Sequence, residues 1–327
     1  MDWRPAAALD VLRRRAALAA AVRAFFAARG VLEVETPLLG AATTPEPHLA
    51  SLVVTEDGTG PAGPPLRLYL QTSPELHMKR LLAAGSGPIY QLSRVARGGE
   101  RGRRHNPEFT LLEWYRPGFD HHALMDEVEA LVRHALDDAA PPPAAARWTY
   151  GELFRRHLGL DPHTADDGEL DAAIAAAGIA APPFDPGDRD GRLALLLTHA
   201  VEPRLPPGLV FVHDYPASQA SLARLRRDPG RPPVAERFEL YLDGVELANG
   251  FHELADAAEQ RRRFAADLAA RRRLGLPAVP LDERFLAALE AGLPPCAGVA
   301  LGFDRLVMHA AGAASIDDVV AFPAERA

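Results

Sequence analysis

Residues 11–29 repeat apolar side chains at helical spacing. Leu12, Leu18, Val22, Phe25 and Phe26 fall near one face, which predicts an amphipathic helix with Asp10 as N-cap and Gly30 as C′ residue. The alternation VLEVETP, closed by Pro37, predicts a strand, and LRLYLQT (66–72) predicts another after the loop 56–65. Ser73-Pro74-Glu75 carries the marks of a helix start, a capping hydroxyl, a proline and a first-turn acid, and this helix should run to Gly85. Strands are expected at 88–96 and 109–115, joined by the twelve Gly- and Arg-rich residues Arg97 to Glu108. A hairpin tip of that length is usually functional.

A helix near 121–136 leads to the Ala- and Pro-rich linker 137–147, and residues 148–200 read as mostly helical from the capping box Thr149-x-x-Glu152. After a strand at 209–213, two alternating runs flank Asp243-Gly244, a strong hairpin signal. Helices ending near Gly275 and Gly292 precede the strand GVALGF (298–303) and a last helix from Asp304. Hairpins rather than alternating helices join the strands, so an α+β fold with a largely antiparallel main sheet is expected and a Rossmann-type sheet is disfavoured. The chain shows no internal repeat.

Composition narrows the function classes. With 327 residues, 48% of them apolar and 24% charged, the chain can bury a sizeable core, as one large domain or two small ones. No stretch is long and apolar enough to span a membrane and the start lacks a signal-peptide core, so a cytoplasmic location is expected. One cysteine, Cys296, excludes an internal disulfide and a thiolate metal cage. A net charge of −8 argues against broad counterion-driven binding to nucleic acid. Lys79 is the only lysine.

Several groups carry candidate chemistry. A two-residue turn at Asp243-Gly244 pairs Leu242 with Val245, Tyr241 with Glu246 and Glu239 with Ala248, so Glu239, Tyr241, Glu246 and Ala248 should share a face. Two diagonal carboxylates repel unless a cation such as Mg²⁺ lies between them; the alternative is a pair of acids on a solvated face. Arg97, Arg101, Arg103 and Arg104 among Gly98, Gly99 and Gly102 make a flexible cationic flap suited to a polyphosphate, or a solvated charge run. Beneath it Glu113 and Tyr115 alternate onto one strand face, where a buried carboxylate needs a positive partner such as a ligand amino group. In GVALGFDR, Gly298 and Gly302 permit close approach of a flat ligand and Arg305 can stack on it; packing of strand against helix is the other reading. Walker, G-x-S-x-G and H-E-x-x-H motifs are absent.

Taken together, the Arg97 loop, HNPEFTLLEWY, the Glu239/Glu246 hairpin and GVALGFDR resemble motifs 2 and 3 of class II aminoacyl-tRNA synthetases of the lysyl branch. Only some thirty residues precede VLEVETP, leaving no room for an anticodon-binding domain. The whole chain therefore resembles the short lysyl-synthetase-like paralogues that modify elongation factor P, also through PASQASLA and GVELANGFHEL. The likeness implies one catalytic domain, 1–327, a mainly antiparallel sheet flanked by helices, with a mostly helical insertion at about 148–205.

It also implies a ligase that adenylates (R)-β-lysine or lysine with ATP and Mg²⁺, transfers it to elongation factor P, forms a homodimer and reads no anticodon. Arg97 and Arg305 would be catalytic, with Arg97 on the α-phosphate and Phe109 and Arg305 around the adenine. Gly98, Gly99, Glu100, His105, Asn106, Glu246, Leu247 and Gly302 would complete the ATP site, and Glu239 and Glu246 would hold Mg²⁺. Ser73, Pro74 and Glu75 would hold the substrate's amino and carboxylate end, Glu113, Tyr115 and Glu253 its distal ammonium, and Asn249 and Ala300 would line the same pocket. Lysyl synthetases commonly carry glycine at the position of Ala300 and Arg-Asn-Glu where this chain reads Arg97-Gly98-Gly99, so Glu100 or the backbone would serve the adenine. The alternatives are a truncated lysyl-tRNA synthetase-like enzyme and a non-catalytic regulatory module on the same fold.

Overall fold

The computed structural model describes residues 3–56, 66–136, 144–185 and 187–327; the predicted linker 137–147 and loop 56–65 lie largely outside them. Helix α1 (Leu9–Ala27) buries Leu18, Val22, Phe25 and Phe26. Its N-cap is Ala8 rather than Asp10, which sits in the first turn, while Gly30 does take a positive φ of 63°. Four short strands follow: β1 (Leu32–Glu33), β2 (Leu39–Gly40), β3 (Val53–Glu56) and β4 (Leu66–Leu70). Then come α2 (Glu75–Ala83), β5 (Ile89–Ala96), β6 (Glu108–Pro117) and α3 (His121–Leu136).

The chain continues with β7 (Ala146–Thr149), α4 (Tyr150–Leu158), α5 (Asp167–Ala176), α6 (Arg189–Leu196) and β8 (Leu209–Pro216). The predicted capping box forms at α4, where Thr149 Oγ1 accepts from Glu152 N–H and the Glu152 carboxylate accepts from Thr149 N–H. Next are β9 (Leu225–Arg226), β10 (Val234–Leu242), β11 (Val245–His252), α7 (Ala257–Arg273), α8 (Glu283–Gly292), β12 (Cys296–Gly302) and α9 (Phe303–Ala311).

These elements group into two compact units. The first comprises residues 1–118, 131–137 and 255–327; the second comprises 119–130 and 138–254, and so contains the whole segment 148–205. In the first unit the strands run in the order β1-β5-β6-β12, with a separate three-stranded sheet β2-β4-β3. β5 pairs antiparallel with β6 and β6 with β12, as the hairpin pattern requires, but β1 runs parallel to β5. Alternation cannot distinguish the two directions for so short an edge strand. Phe26 from α1 stacks on Tyr90 at 4.4 Å and meets Trp114 edge-on at 5.4 Å, holding the helix against this sheet. Asp304, 2% exposed, pairs with Arg15 and accepts from the Thr110 N–H at 2.8 Å, joining α1, β6 and α9.

The second unit orders its strands β11-β10-β8-β7, with β9 also on β10 and β7 parallel to β8. Its core packs Tyr150, Phe154, Leu170, Leu193 and Leu196 from the helices against Val210, Val212 and Tyr215 of β8. Asp243 and Gly244 both take positive φ, 50° and 72°, the requirement of the predicted two-residue hairpin turn. Leu242 pairs with Val245 and Tyr241 with Glu246 as expected, and then the register shifts. Leu240 lies opposite Ala248 and Glu239 opposite Asn249, so one extra residue near Leu247 bulges the strand. The predicted Glu239–Ala248 pairing is corrected accordingly. Asn249, not Ala248, shares the face of Glu239.

Candidate active site

In the first unit the sheet face carrying Glu113 is set by register. Gln91 and Ala300 lie directly opposite Glu113, and Ile89 and Gly298 opposite Tyr115. Glu113 is 2% exposed, and its Oε1 accepts from the Tyr115 hydroxyl at 2.7 Å. Burial, reinforced by the charge of Glu75, pushes the Glu113 carboxyl well above the usual carboxylate range, although Tyr115, Ser73 and Lys79 oppose the shift. Ser73 Oγ accepts from the Glu75 N–H at 3.0 Å and Pro74 takes the N-cap position of α2, one residue later than predicted. Glu75 then meets the ammonium of Lys79, one turn on, at 2.6 Å. Lys79 is 1% exposed and crosses to Phe285 of α8 at 6.0 Å. The structure thus brings Ser73, Glu75, Glu113 and Tyr115 together around one buried ammonium.

The loop Arg97–Glu108 is anchored more firmly than a flexible flap. Gly98 N–H donates to Ala50 O at 2.6 Å, and a Cβ on Gly98 would stand 3.3 Å from that carbonyl and 3.2 Å from Leu52. Gly99 takes φ +78°, which places it in the left-handed region. Arg101 is committed to Asp317 and Glu325, and Ile316 N–H donates to Arg103 O. Asn106, 3% exposed, donates to Glu108 O at 2.6 Å and accepts from Ala324 N–H at 3.1 Å. Asn106 therefore shapes the loop through backbone contacts, and the C-terminal segment pins the flap that sequence alone reads as free.

Arg97 donates from Nε to Thr72 O at 3.1 Å, stands 3.9 Å from Glu100 and lays its guanidinium 5.1 Å from the Phe109 ring centroid. Arg305, on the first turn of α9 after Gly302, reaches His105 Nε2 at 2.8 Å. Burial, then the charge of Arg305, lowers the His105 pKa and favours the neutral ring that accepts this bond. Phosphate-compatible cations thus lie on one loop and one helix start, with an aromatic face from Phe109 of β6.

In the second unit Arg237, Glu239 and Tyr241 alternate onto one face of β10. Glu239 accepts from the Tyr241 hydroxyl at 2.7 Å and pairs with Arg237 at 2.5 Å, and Arg237 also reaches Asn249 Oδ1 at 3.3 Å. Burial, then the charges of Glu239 and Glu246, raises the Glu202 carboxyl. Glu239 and Glu246 therefore both act on Arg237, with Glu202 close to the same two acids, and a pair of carboxylates is the oxygen donor type that suits Mg²⁺. Leu247 is buried beside the bulge, and Glu253 is buried where it bridges antiparallel to Ala223.

Sequence reasoning missed Gln91, Lys79, Arg237 and Glu202. Gln91 could have been found by extending the β5–β6 register from the loop, and Arg237 by continuing the alternation that marks Glu239 and Tyr241. Lys79 sits one turn beyond Glu75, an i,i+4 pairing readable from spacing. Glu202 carries no such signal, because only the tertiary fold brings it to the hairpin.

The family model for class II tRNA synthetases (D, K and N) matches residues 1–326. A protein of Proteus mirabilis named elongation factor P–(R)-β-lysine ligase is 51% identical over all of this chain and 98% of its own length. Proteins of the same name from Vibrio cholerae, 51% identical over all of this chain and 99% of theirs, and from Salmonella gallinarum, 50% identical over 99% and 98%, match equally. The chain belongs to the class II tRNA synthetase family of the D, K and N type, in the group that holds these ligases.

Proposed function

We propose that this chain activates (R)-β-lysine with ATP as an acyl-adenylate and transfers the β-lysyl group to a lysine ε-amine of elongation factor P. The observation that carries this reading is the identity of about half of all residues, along the full chain, to ligases of that name. The buried Glu113 and the partly exposed Glu75 support it, since a site built around carboxylates favours a dicationic substrate over an acidic or neutral one.

Ser73, Pro74 and Glu75 orient the substrate's amino and carboxylate end. Glu113, Tyr115 and Glu253 take the distal ammonium, and Gln91, Asn249 and Ala300 shape the wall. The substrate carboxylate oxygen bonds to the α-phosphorus of ATP as the bond to pyrophosphate breaks. Arg97 and Arg305 neutralise the charge on that phosphorus, so positioning and electrostatics do the catalysis. Gly98, Gly99, Glu100, His105, Leu247 and Gly302 hold the nucleotide, with Asn106 serving it through the loop it shapes and adenine between Phe109 and Arg305. Arg97 must leave the face of Phe109 for this, so ATP binding swings its guanidinium toward the phosphate. Glu239 and Glu246 hold Mg²⁺, which when bound supplies charge neutralisation at the phosphates. In the second step the acceptor amine forms the amide bond as AMP leaves and the amine gives up a proton.

Exposed Leu32, Leu38, Leu39, Leu52, Val53 and Val54 leave apolar side chains at the surface of the first unit, which fits the homodimer that the family likeness implies. No helix among the described residues is long and apolar enough to cross a membrane, which fits a cytoplasmic ligase. ATP–pyrophosphate exchange without tRNA tests the reading. Exchange strongest with (R)-β-lysine among α-lysine, (S)-β-lysine, asparagine and aspartate is expected. No exchange with any of them, in folded protein, would favour the regulatory module instead.

A further inference from the structure

The second unit holds a histidine cluster that the proposed chemistry does not use. Alternation along β10 turns Glu236 and Phe238 away from the face of Arg237 and Glu239, and on β11 His252 lies on the Gly250 side, opposite Phe238. The first turn of α3 brings His121 to the same side, and His213 of β8 pairs opposite Phe238. The ligand atoms of His121, Glu236 and His252 all lie within 4.8 Å of one another. His252 Nδ1 and Glu236 Oε2 are only 2.9 Å apart. Those of His121, His122 and His213 form a second such set sharing His121.

His121 is the telling residue. It is 2% exposed, and neither ring nitrogen has a hydrogen-bond partner among the described residues. Its Nε2 comes within 3.4 Å of Asp214 Oδ1, inside ion-pair range but outside hydrogen-bond geometry. A buried imidazole left this way is costly unless something coordinates it.

We infer that His121, Glu236 and His252 form a site for one divalent late transition metal, Zn²⁺ by donor type, with water as fourth ligand. Two imidazoles and a carboxylate suit Zn²⁺ rather than Mg²⁺, which prefers all-oxygen shells. Tetrahedral Zn²⁺ places its ligand atoms about 3.3 Å apart, so the triad closes on the ion by side-chain rotation. Glu236 is favoured over the second histidine set because its carboxylate adds negative charge against the cation, whereas the nearby Asp214 is already paired with Arg226 at 2.7 Å. Arg224 now holds Glu236 Oε2 at 2.8 Å, and being half exposed it moves to solvent when metal binds. Such an ion ties the start of α3 to the back of the hairpin whose front carries Glu239 and Glu246.

The test uses untagged full-length protein, stripped with chelator and titrated with Co²⁺ and Zn²⁺. Visible ligand-field absorption by Co²⁺, metal content after dialysis and melting temperature are read on the wild type and on variants. One equivalent per chain is expected, with a melting temperature raised by Zn²⁺. Affinity should fall tenfold or more in His252→Ala and Glu236→Gln and persist in His122→Ala. Should His121→Ala not fold, the half-buried His252→Ala still decides the matter. Absence of a stoichiometric ion in the wild type, or its loss in His122→Ala or His213→Ala but not in His252→Ala, would overturn the assignment.

Discussion

The same local motif occurs twice with different consequences. Glu113-x-Tyr115 on β6 and Glu239-x-Tyr241 on β10 each put a tyrosine hydroxyl on a carboxylate oxygen at 2.7 Å. Two residues before Glu239 stands Arg237, which pairs with it; two residues before Glu113 stands the buried Leu111. The chain thus compensates Glu239 from its own strand, whereas the cation acting on buried Glu113 is Lys79, shared with Glu75, and burial drives its carboxyl upward. In the proposed reading the hairpin acid would serve a hard cation and the β6 acid a substrate ammonium. Neighbours two residues away, not the motif, set how each carboxylate is compensated.

Substitution of both acids breaks the comparison most sharply. Glu113→Gln should lower kcat/KM for (R)-β-lysine by about 10²–10³-fold, since an ammonium loses its buried counter-charge. The same variant should stabilise the unliganded protein at neutral pH by roughly 1–3 kcal/mol, read by denaturant unfolding. Glu239→Gln should instead destabilise it by about 1–2 kcal/mol by removing the charge paired with Arg237, and should raise the Mg²⁺ concentration needed for pyrophosphate exchange. Equal stability changes in the two variants would erase the distinction.

The pH dependence follows from the same asymmetry. The folded protein holds the Glu113 proton more tightly than the unfolded chain. Its contribution to stability is therefore greatest below the ordinary carboxylate range and is lost as pH rises through the raised folded value. Substrate binds the ionised acid, so kcat/KM for (R)-β-lysine should rise with pH across that window while stability falls, and Glu113→Gln should flatten both profiles. Tyr115→Phe should cost about tenfold in KM, because the hydroxyl orients the Glu113 carboxylate; Tyr241→Phe should leave KM for the amino acid unchanged. The smallest change is expected of Ala300→Gly, opposite Glu113. Removing one methyl from the pocket wall should improve relative use of α-lysine by about fivefold to tenfold.

Much of this was legible where local chemistry decides structure. The Thr149–Glu152 capping box, the Asp243-Gly244 turn and the alternation of Glu113 with Tyr115 all formed as the sequence predicts. Contacts that span the chain were not. The bulge near Leu247 exchanges Ala248 for Asn249 opposite Glu239 for reasons of packing rather than pattern. The C-terminal segment pins the Arg97 loop through residues some 200 positions away, which no window on the loop reveals. β1, only two residues long, carries no sign of its parallel pairing. The histidine cluster escaped notice because its members lie scattered from 121 to 252 and share no spacing.

The most direct test of the central claim is the intact mass of elongation factor P after incubation with this protein, ATP, Mg²⁺ and (R)-β-lysine, with tRNA present as a competing acceptor. The account predicts that elongation factor P gains one lysyl residue and tRNA stays uncharged. The enzyme should keep its own mass, because its single lysine, Lys79, is buried against Glu75. Charged tRNA with unmodified elongation factor P would contradict it.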